Sequence, residues 1–306
     1  LIVGLTIVNI FGVNVSKFVN NLITISKLVP LALFIAIGIF FINGANFTPV
    51  FPQDIYVDGS FAQAAVLLFF AYTGFEVIAI AAEDMKNPKK NLPRAIIMCM
   101  LLVSVLYMAI LAVSIGVLGT DLANTKAPVQ DAFNVIVGPI GMYIVLVGTL
   151  ISMGGINFAE AYYAPRVATS MAEDGMLPSA LAKRNRYNAP YIAAIVTAIA
   201  SVLLAWSGSF TTLAAISAVS RFTQYLPTCL AVIIFRRKWA DKARSYTIPG
   251  GYLIPVIAIG TSLWMLAQAQ TNQLLWGLGG CIVILPFYYS YWKKKKAGLI
   301  KDNDEM

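Results

Sequence analysis

The sequence predicts an all-α polytopic membrane protein, and three observations carry that expectation. Hydrophobic residues make up 59% of the 306-residue chain and charged residues 12%, with a mean hydropathy of +0.76. That balance suits a chain that folds in lipid rather than in water. Apolar runs long enough to cross a bilayer, which takes roughly 20 residues, recur along the whole sequence. The Lys and Arg residues gather in every second connection between those runs, as the positive-inside rule requires.

By length the spans fall at about 1–11, 18–43, 60–83, 93–118, 139–165, 190–207, 211–235, 251–270 and 273–292. The first run opens with no charged leader and no cleavage site, so it reads as a span cut in mid-membrane rather than a signal peptide. The sequence is therefore expected to be a fragment of a longer product. One set of loops holds Lys17, then Lys86, Lys89, Lys90 and Arg94, then Arg166, Lys183, Arg184 and Arg186. The same set continues with Arg236, Arg237, Lys238, Lys242 and Arg244, and ends with Lys293 to Lys296 and Lys301. The opposite loops hold Lys126 alone. The basic side, and with it the C-terminus, is expected in the cytoplasm of a cell whose plasma membrane holds the protein.

The net charge of +8 is thus a topology signal and not a nucleic-acid footprint; no basic groove interleaved with aromatics is present. Histidine is absent, which removes the commonest general base and metal ligand. Cys99, Cys229 and Cys281 sit singly in apolar runs and read as inert thiols. No cofactor and no metal site is expected. An enzyme would need a nucleophile beside a base or clustered ligands, and the scattered carboxylates supply neither. A channel or scaffold without alternating access would show a ring of pore-lining charges; none is visible. No protein partner can be inferred.

The stretch from Gly59 to Arg94 organises the rest. Its span contains Gly74, which weakens a helix interior, and then Glu76, a carboxylate that is costly in lipid unless it faces a cavity or a partner. A packing glycine and a charge tucked against a neighbour would explain the same residues. After Glu83 a basic loop follows, in which Asn87-Pro88 favours an extended backbone and Pro93 suits the first turn of the next helix.

F-F-A-Y-T-G-F-E followed, eight residues on, by D-M-K-N-P-K-K-N-L-P-R-A-I resembles the sixth span and following loop of the amino acid–polyamine–organocation (APC) superfamily of permeases. The resemblance implies a LeuT-like inverted-repeat transporter whose sixth span is broken at its middle. On that alignment, residues 1–43 are the end of the first repeat, with a cut span four and span five. Residues 60–235 are the second five-helix repeat, 251–292 the two accessory helices, and 293–306 a basic cytoplasmic tail. Most of the first repeat would be missing, including the unwound first span that holds the substrate carboxylate in the family. The resemblance makes Phe70, Ala71, Tyr72, Thr73, Gly74, Phe75 and Glu76 the substrate-binding segment, with Phe70 the bulky residue that stacks on the substrate. Ordinary packing accounts for most of these aromatics equally well.

Three further charges lie inside spans. Lys27, in N-N-L-I-T-I-S-K-L-V-P-L, is roughly 15 Å from the cytoplasmic end at 1.5 Å per residue. The resemblance places it where sodium sits in sodium-driven relatives, which makes it the proton-coupling candidate; a fixed cation bonded to backbone carbonyls is the alternative. Arg221 keeps its proton, so an ion pair or a gate-lining group is expected. Glu160 lies nearer the cytoplasmic end and fits either an interior charge partner or a wetted vestibule, with a structural role preferred. Which pairs form is open.

Two connecting segments also carry signals. Val129, Ala132, Phe133 and Ile136 fall at helical spacing, which predicts a short amphipathic helix in an outer segment. In A-P-R-V-A-T-S-M-A-E-D-G-M-L-P, Gly175 is expected to end a helix in the left-handed conformation, with Pro178 blocking its resumption. Arg166 and Asp174 read as structural. Taken together, the resemblance implies a secondary active transporter that moves amino acids by alternating access across a lipid bilayer, as a proton symporter or an exchanger. A polyamine or other organic-cation antiporter of the same fold is the alternative. Nothing in the sequence says which amino acid is carried.

Overall fold

The computed structural model describes residues 2–11, 17–48, 60–76, 78, 85–240, 244 and 246–296. Among these, all regular structure is helical. The helices are α1 (Ile2–Ile10), α2 (Lys17–Gly38), α3 (Ser60–Ala71), α4 (Pro88–Leu118), α5 (Pro128–Val137), α6 (Pro139–Glu173), α7 (Tyr191–Ser207), α8 (Phe210–Lys238), α9 (Leu253–Gln268) and α10 (Thr271–Lys296). Segments within or spanning α2, α4, α6, α8 and α10 are long and apolar enough to cross a membrane, and α3, α7 and α9 are shorter apolar helices. The chain is an integral, multi-pass membrane protein. Large apolar side chains accordingly stay exposed, among them Met98, Leu101, Leu102, Val105 and Met108 along one side of α4. Asp54 and Asp58, most of the expected span beyond Glu76, and the tail from residue 297 lie outside the described residues.

The chain divides into two compact units. The first comprises Leu1–Pro52, Leu106–Ser207 and Pro286–Met306, and the second Gln53–Val105 and Gly208–Leu285. In the first unit α6 is the central element, packed against α1, α2, α5 and α7. Phe34 of α2 and Phe133 of α5 are fully buried and meet edge to face, with ring centroids 5.7 Å apart. Val113, Ala132 and Val145 complete that core, and Val129 and Ile136 of α5 pack onto it. The apolar stripe expected of Val129, Ala132, Phe133 and Ile136 is therefore the face that α5 buries. Close approach of α2 and α6 depends on Gly148: a Cβ there would stand 2.5 Å from Pro30 Cγ and 3.0 Å from the Ser26 carbonyl oxygen. Small residues at such crossings replace the hydrophobic effect, which lipid does not supply, with backbone proximity.

The C-terminus of α6 closes as the glycine predicts. Gly175 has φ +78°, Met176 N–H donates to Met171 O at 2.8 Å, and Gly175 N–H donates to Ala172 O at 3.1 Å. These are the paired bonds of a Schellman cap. Arg166, nine residues before Gly175, lies over the Tyr162 ring at 3.3 Å and donates to the Tyr162 carbonyl at 2.8 Å, a structural use of the charge. Glu173 pairs with Arg184 at 2.9 Å.

The start of α4 departs from the expectation. The helix opens at Pro88, so Pro88 and not Pro93 occupies the first turn, and Pro93 lies inside the helix. Asn87 is left-handed, with φ +49°, rather than extended. Its carbonyl accepts from both Lys90 N–H and Asn91 N–H at 3.0 Å, while the Asn91 side chain donates to Lys86 O at 2.6 Å. Asparagine tolerates this backbone better than most residues, and the bonds it gains outweigh the bias of a pre-proline position.

In the second unit α3 and α9 pack against α8. Val66, Ala215 and Ala218 are buried at the α3–α8 contact, with Phe69, Phe70 and Met265 packed around them. Gly277 of α10 fits against Val219 and the Ile216 carbonyl, where any Cβ would crowd both.

Candidate functional site

The break in the 60–83 span begins after Ala71, where α3 stops. Tyr72 N–H donates to Phe69 O at 3.0 Å and Thr73 N–H to Phe70 O at 3.1 Å, so the last turn tightens to the i→i+3 pattern. The Thr73 hydroxyl also donates to Phe70 O at 2.7 Å. Gly74 then takes φ +105°, a backbone conformation that any Cβ would strain. Nothing lies within 4 Å of where that Cβ would be. The position therefore demands glycine for its dihedral and not for lack of room.

The turn is tied down by Glu76. Its carboxylate accepts from Gly74 N–H at 2.9 Å, from the Tyr225 hydroxyl at 3.0 Å, and from Arg221, with which it forms an ion pair. The Glu76 side chain is 13% exposed and that of Arg221 35%. Arg221 and Tyr225 stand four residues apart on α8, one turn on the same face. Aromatic contacts complete the arrangement. Phe69 stacks on Phe222 with centroids 4.8 Å apart and meets Tyr225 edge-on at 5.9 Å. Phe75 stacks on Tyr225 at 5.7 Å, and Phe70 meets Phe210 edge-on at 6.1 Å.

The segment 70–76 is thus brought together with α8, and Arg221 finds the carboxylate that its depth required. Glu76 is engaged by protein donors on both oxygens. Sequence reasoning missed Phe222 and Tyr225. The available signal was the four-residue spacing from Arg221 to Tyr225, which puts a second polar head beside the guanidinium.

Lys27 lies in the first unit. It is half-buried on α2 and lines a cavity of about 120 Å³ with Pro30, Leu31, Val145, Gly148, Thr149 and Ser152 among its walls. Pro30 has no N–H to offer the carbonyl four residues back, that of Ser26, so the helix is one bond short beside the lysine. Among the described residues Lys27 forms no ion pair. Glu160 is exposed on α6 and lines a second cavity, between α1, α6 and α7.

Among the described residues no cluster of His, Cys, Asp and Glu could hold a metal ion. A profile of the family described as amino acid permease matches residues 1–291. The chain is similar to the branched-chain amino acid permease of Bacillus subtilis, at 29% identity over 96% of this chain and 63% of that protein. It is also similar to the methylthioribose transporter of the same organism, at 30% identity over 92% of this chain and 61% of that protein. The serine/threonine exchanger of Bacillus subtilis is 30% identical over 96% of this chain and 68% of that protein. The chain spans about three fifths of the first two relatives' length. These are transporters and not enzymes, and the chain belongs to the amino acid permease family of the APC superfamily.

Proposed function

We propose that the protein is a secondary active transporter that carries amino acids across the membrane by alternating access, with the 70–76 segment meeting the substrate. The observation that supports this reading best is the helix that stops inside a span and is held there by a side-chain network. Backbone that leaves the helical pattern at membrane depth persists only where protein or a water-filled cavity replaces lipid. Broken spans of this kind place backbone donors and acceptors at transporter binding sites.

In this reading Gly74 lets backbone approach the substrate with no side chain between. Phe70 supplies an apolar face for the substrate to stack on. Glu76 holds the turn in register with α8 through Arg221 and Tyr225. Lys27 is the coupling group, gaining and losing a proton in the transport cycle, which makes the protein a proton symporter or an exchanger in a LeuT-like inverted-repeat frame. The basic loops and the C-terminus face the cytoplasm. A second reading, transport of a solute that is not an amino acid, is favoured by the similarity to the methylthioribose transporter.

The test is counterflow. Full-length protein in liposomes should take up labelled amino acid faster when unlabelled amino acid is inside. A panel of twenty amino acids, methylthioribose and a polyamine identifies the substrate class. Uptake of all of them at the rate of protein-free liposomes would end the transporter reading.

A further inference from the structure

Among the described residues, one carboxylate inside a span is left without an ion-pair partner. Glu160 lies on α6, and among the described residues no Lys or Arg forms an ion pair with it. A charge at that depth requires a counter-charge or a wet surface. Glu160 faces a cavity of about 140 Å³ between α1, α6 and α7, all within the first unit. The polar wall of the cavity is Thr6, Asn157, Glu160, Thr197 and Ser201, and the remainder is aliphatic.

Two of the three hydroxyl hydrogens on that wall, and one amide hydrogen, are turned back into the helices. The Thr6 hydroxyl donates to Ile2 O at 2.9 Å, and the Thr197 hydroxyl to Ala193 O at 2.9 Å. Asn157 Nδ2 donates to Met153 O at 2.8 Å. A threonine hydroxyl has one hydrogen to give, so what Thr6 and Thr197 retain is lone pairs, and Asn157 retains its carbonyl oxygen beside one further N–H. The oxygen chemistry of this wall is that of an acceptor shell carrying one negative charge.

Charge and size narrow the occupant. One carboxylate balances one positive charge, whereas calcium sites gather 6–8 oxygens with several carboxylates among them. At about 30 Å³ per water, the cavity holds a small ion with a few waters. We propose that Glu160, Asn157, Thr6, Thr197 and Ser201 form a site for a small monovalent metal cation, sodium or potassium. The ion neutralises Glu160 and ties α1 to α6 and α7. The site is separate from the proposed coupling lysine, and its test does not use transport.

The experiment is thermal unfolding of the full-length protein in nanodiscs at constant ionic strength, with sodium chloride or potassium chloride replacing the chloride of a bulky organic cation, N-methyl-D-glucamine. The wild type should melt at rising temperature as one of the metal ions is added, and the rise should saturate. Glu160→Gln should melt at a temperature independent of the salt. Thr197→Val and Ser201→Ala should each move the half-saturating concentration up at least threefold. Binding of radioactive sodium should follow the same order where sodium is the responding ion. A wild type that melts alike in all three salts overturns the proposal. So does an equal salt response in Glu160→Gln, or, should that variant not fold, unchanged half-saturation in Thr197→Val and Ser201→Ala.

Discussion

Tyr225 donates its hydroxyl to Glu76 across 149 residues of sequence, at 3.0 Å, and so anchors the turn that follows α3. A hydrogen bond to a charged group contributes about 1.5–3 kcal/mol. Tyr225→Phe removes that bond while leaving the ring to stack on Phe75. Substrate uptake by the full-length protein should fall severalfold, with membrane insertion unchanged. Arg221→Met should cost more, because it leaves a mostly buried carboxylate uncompensated. The double variant Glu76→Gln, Arg221→Met should do less harm than the two single effects summed, since the two residues share one interaction. Strict additivity in uptake and melting temperature would show that the pair is uncoupled.

At Gly74 the backbone dihedral, not crowding, sets the requirement. A residue with a side chain held at such a φ costs about 1–3 kcal/mol. Gly74→Ala, despite open space around the position, should therefore slow transport strongly, and Gly74→Leu should abolish it with normal expression. Normal transport by Gly74→Ala would reduce the glycine to an incidental residue.

Substitutions at Lys27 test the proposed coupling role. Lys27→Ala should abolish accumulation driven by an imposed pH gradient in proteoliposomes. Lys27→Arg should do nearly the same, because a guanidinium keeps its proton. Sodium should not stimulate wild-type uptake. Full accumulation by Lys27→Arg would assign the lysine a fixed electrostatic role instead.

Packing between α2 and α6 has its own check at Gly148. Overfilling a close contact costs about 1–3 kcal/mol, so Gly148→Val should lower the melting temperature by several degrees. A melting temperature equal to that of the wild type would mean that the two helices separate without cost.

Much of the fold was readable because its signals are local. Span positions follow from run length, the buried face of α5 from the spacing of Val129, Ala132, Phe133 and Ile136, and the end of α6 from Gly175. The start of α4 was misplaced because the Asn87 turn is set by the Asn91 side chain and by main-chain bonds, which a proline rule does not weigh. The partners of Glu76 were not readable at all. Arg221 lies 145 residues away, and no local pattern names which of several intramembrane charges it will meet. Glu160 shows the converse: the sequence flags a costly charge, but only the packing of α1, α6 and α7 shows what surrounds it.

The early stop of α3 bears on where the membrane's electric field falls. Twelve residues of helix rise about 18 Å, against roughly 30 Å of hydrocarbon. Wherever water fills the remainder, the potential drops across less than the full thickness of the bilayer. At about 2.3 kcal/mol per unit charge per 100 mV, a charge that moved past Glu76 and Arg221 in the proposed cycle would cross that energy over a shorter path. In the proposed transporter the voltage would then fall alongside α3, with the turn at Gly74 marking where that fall begins.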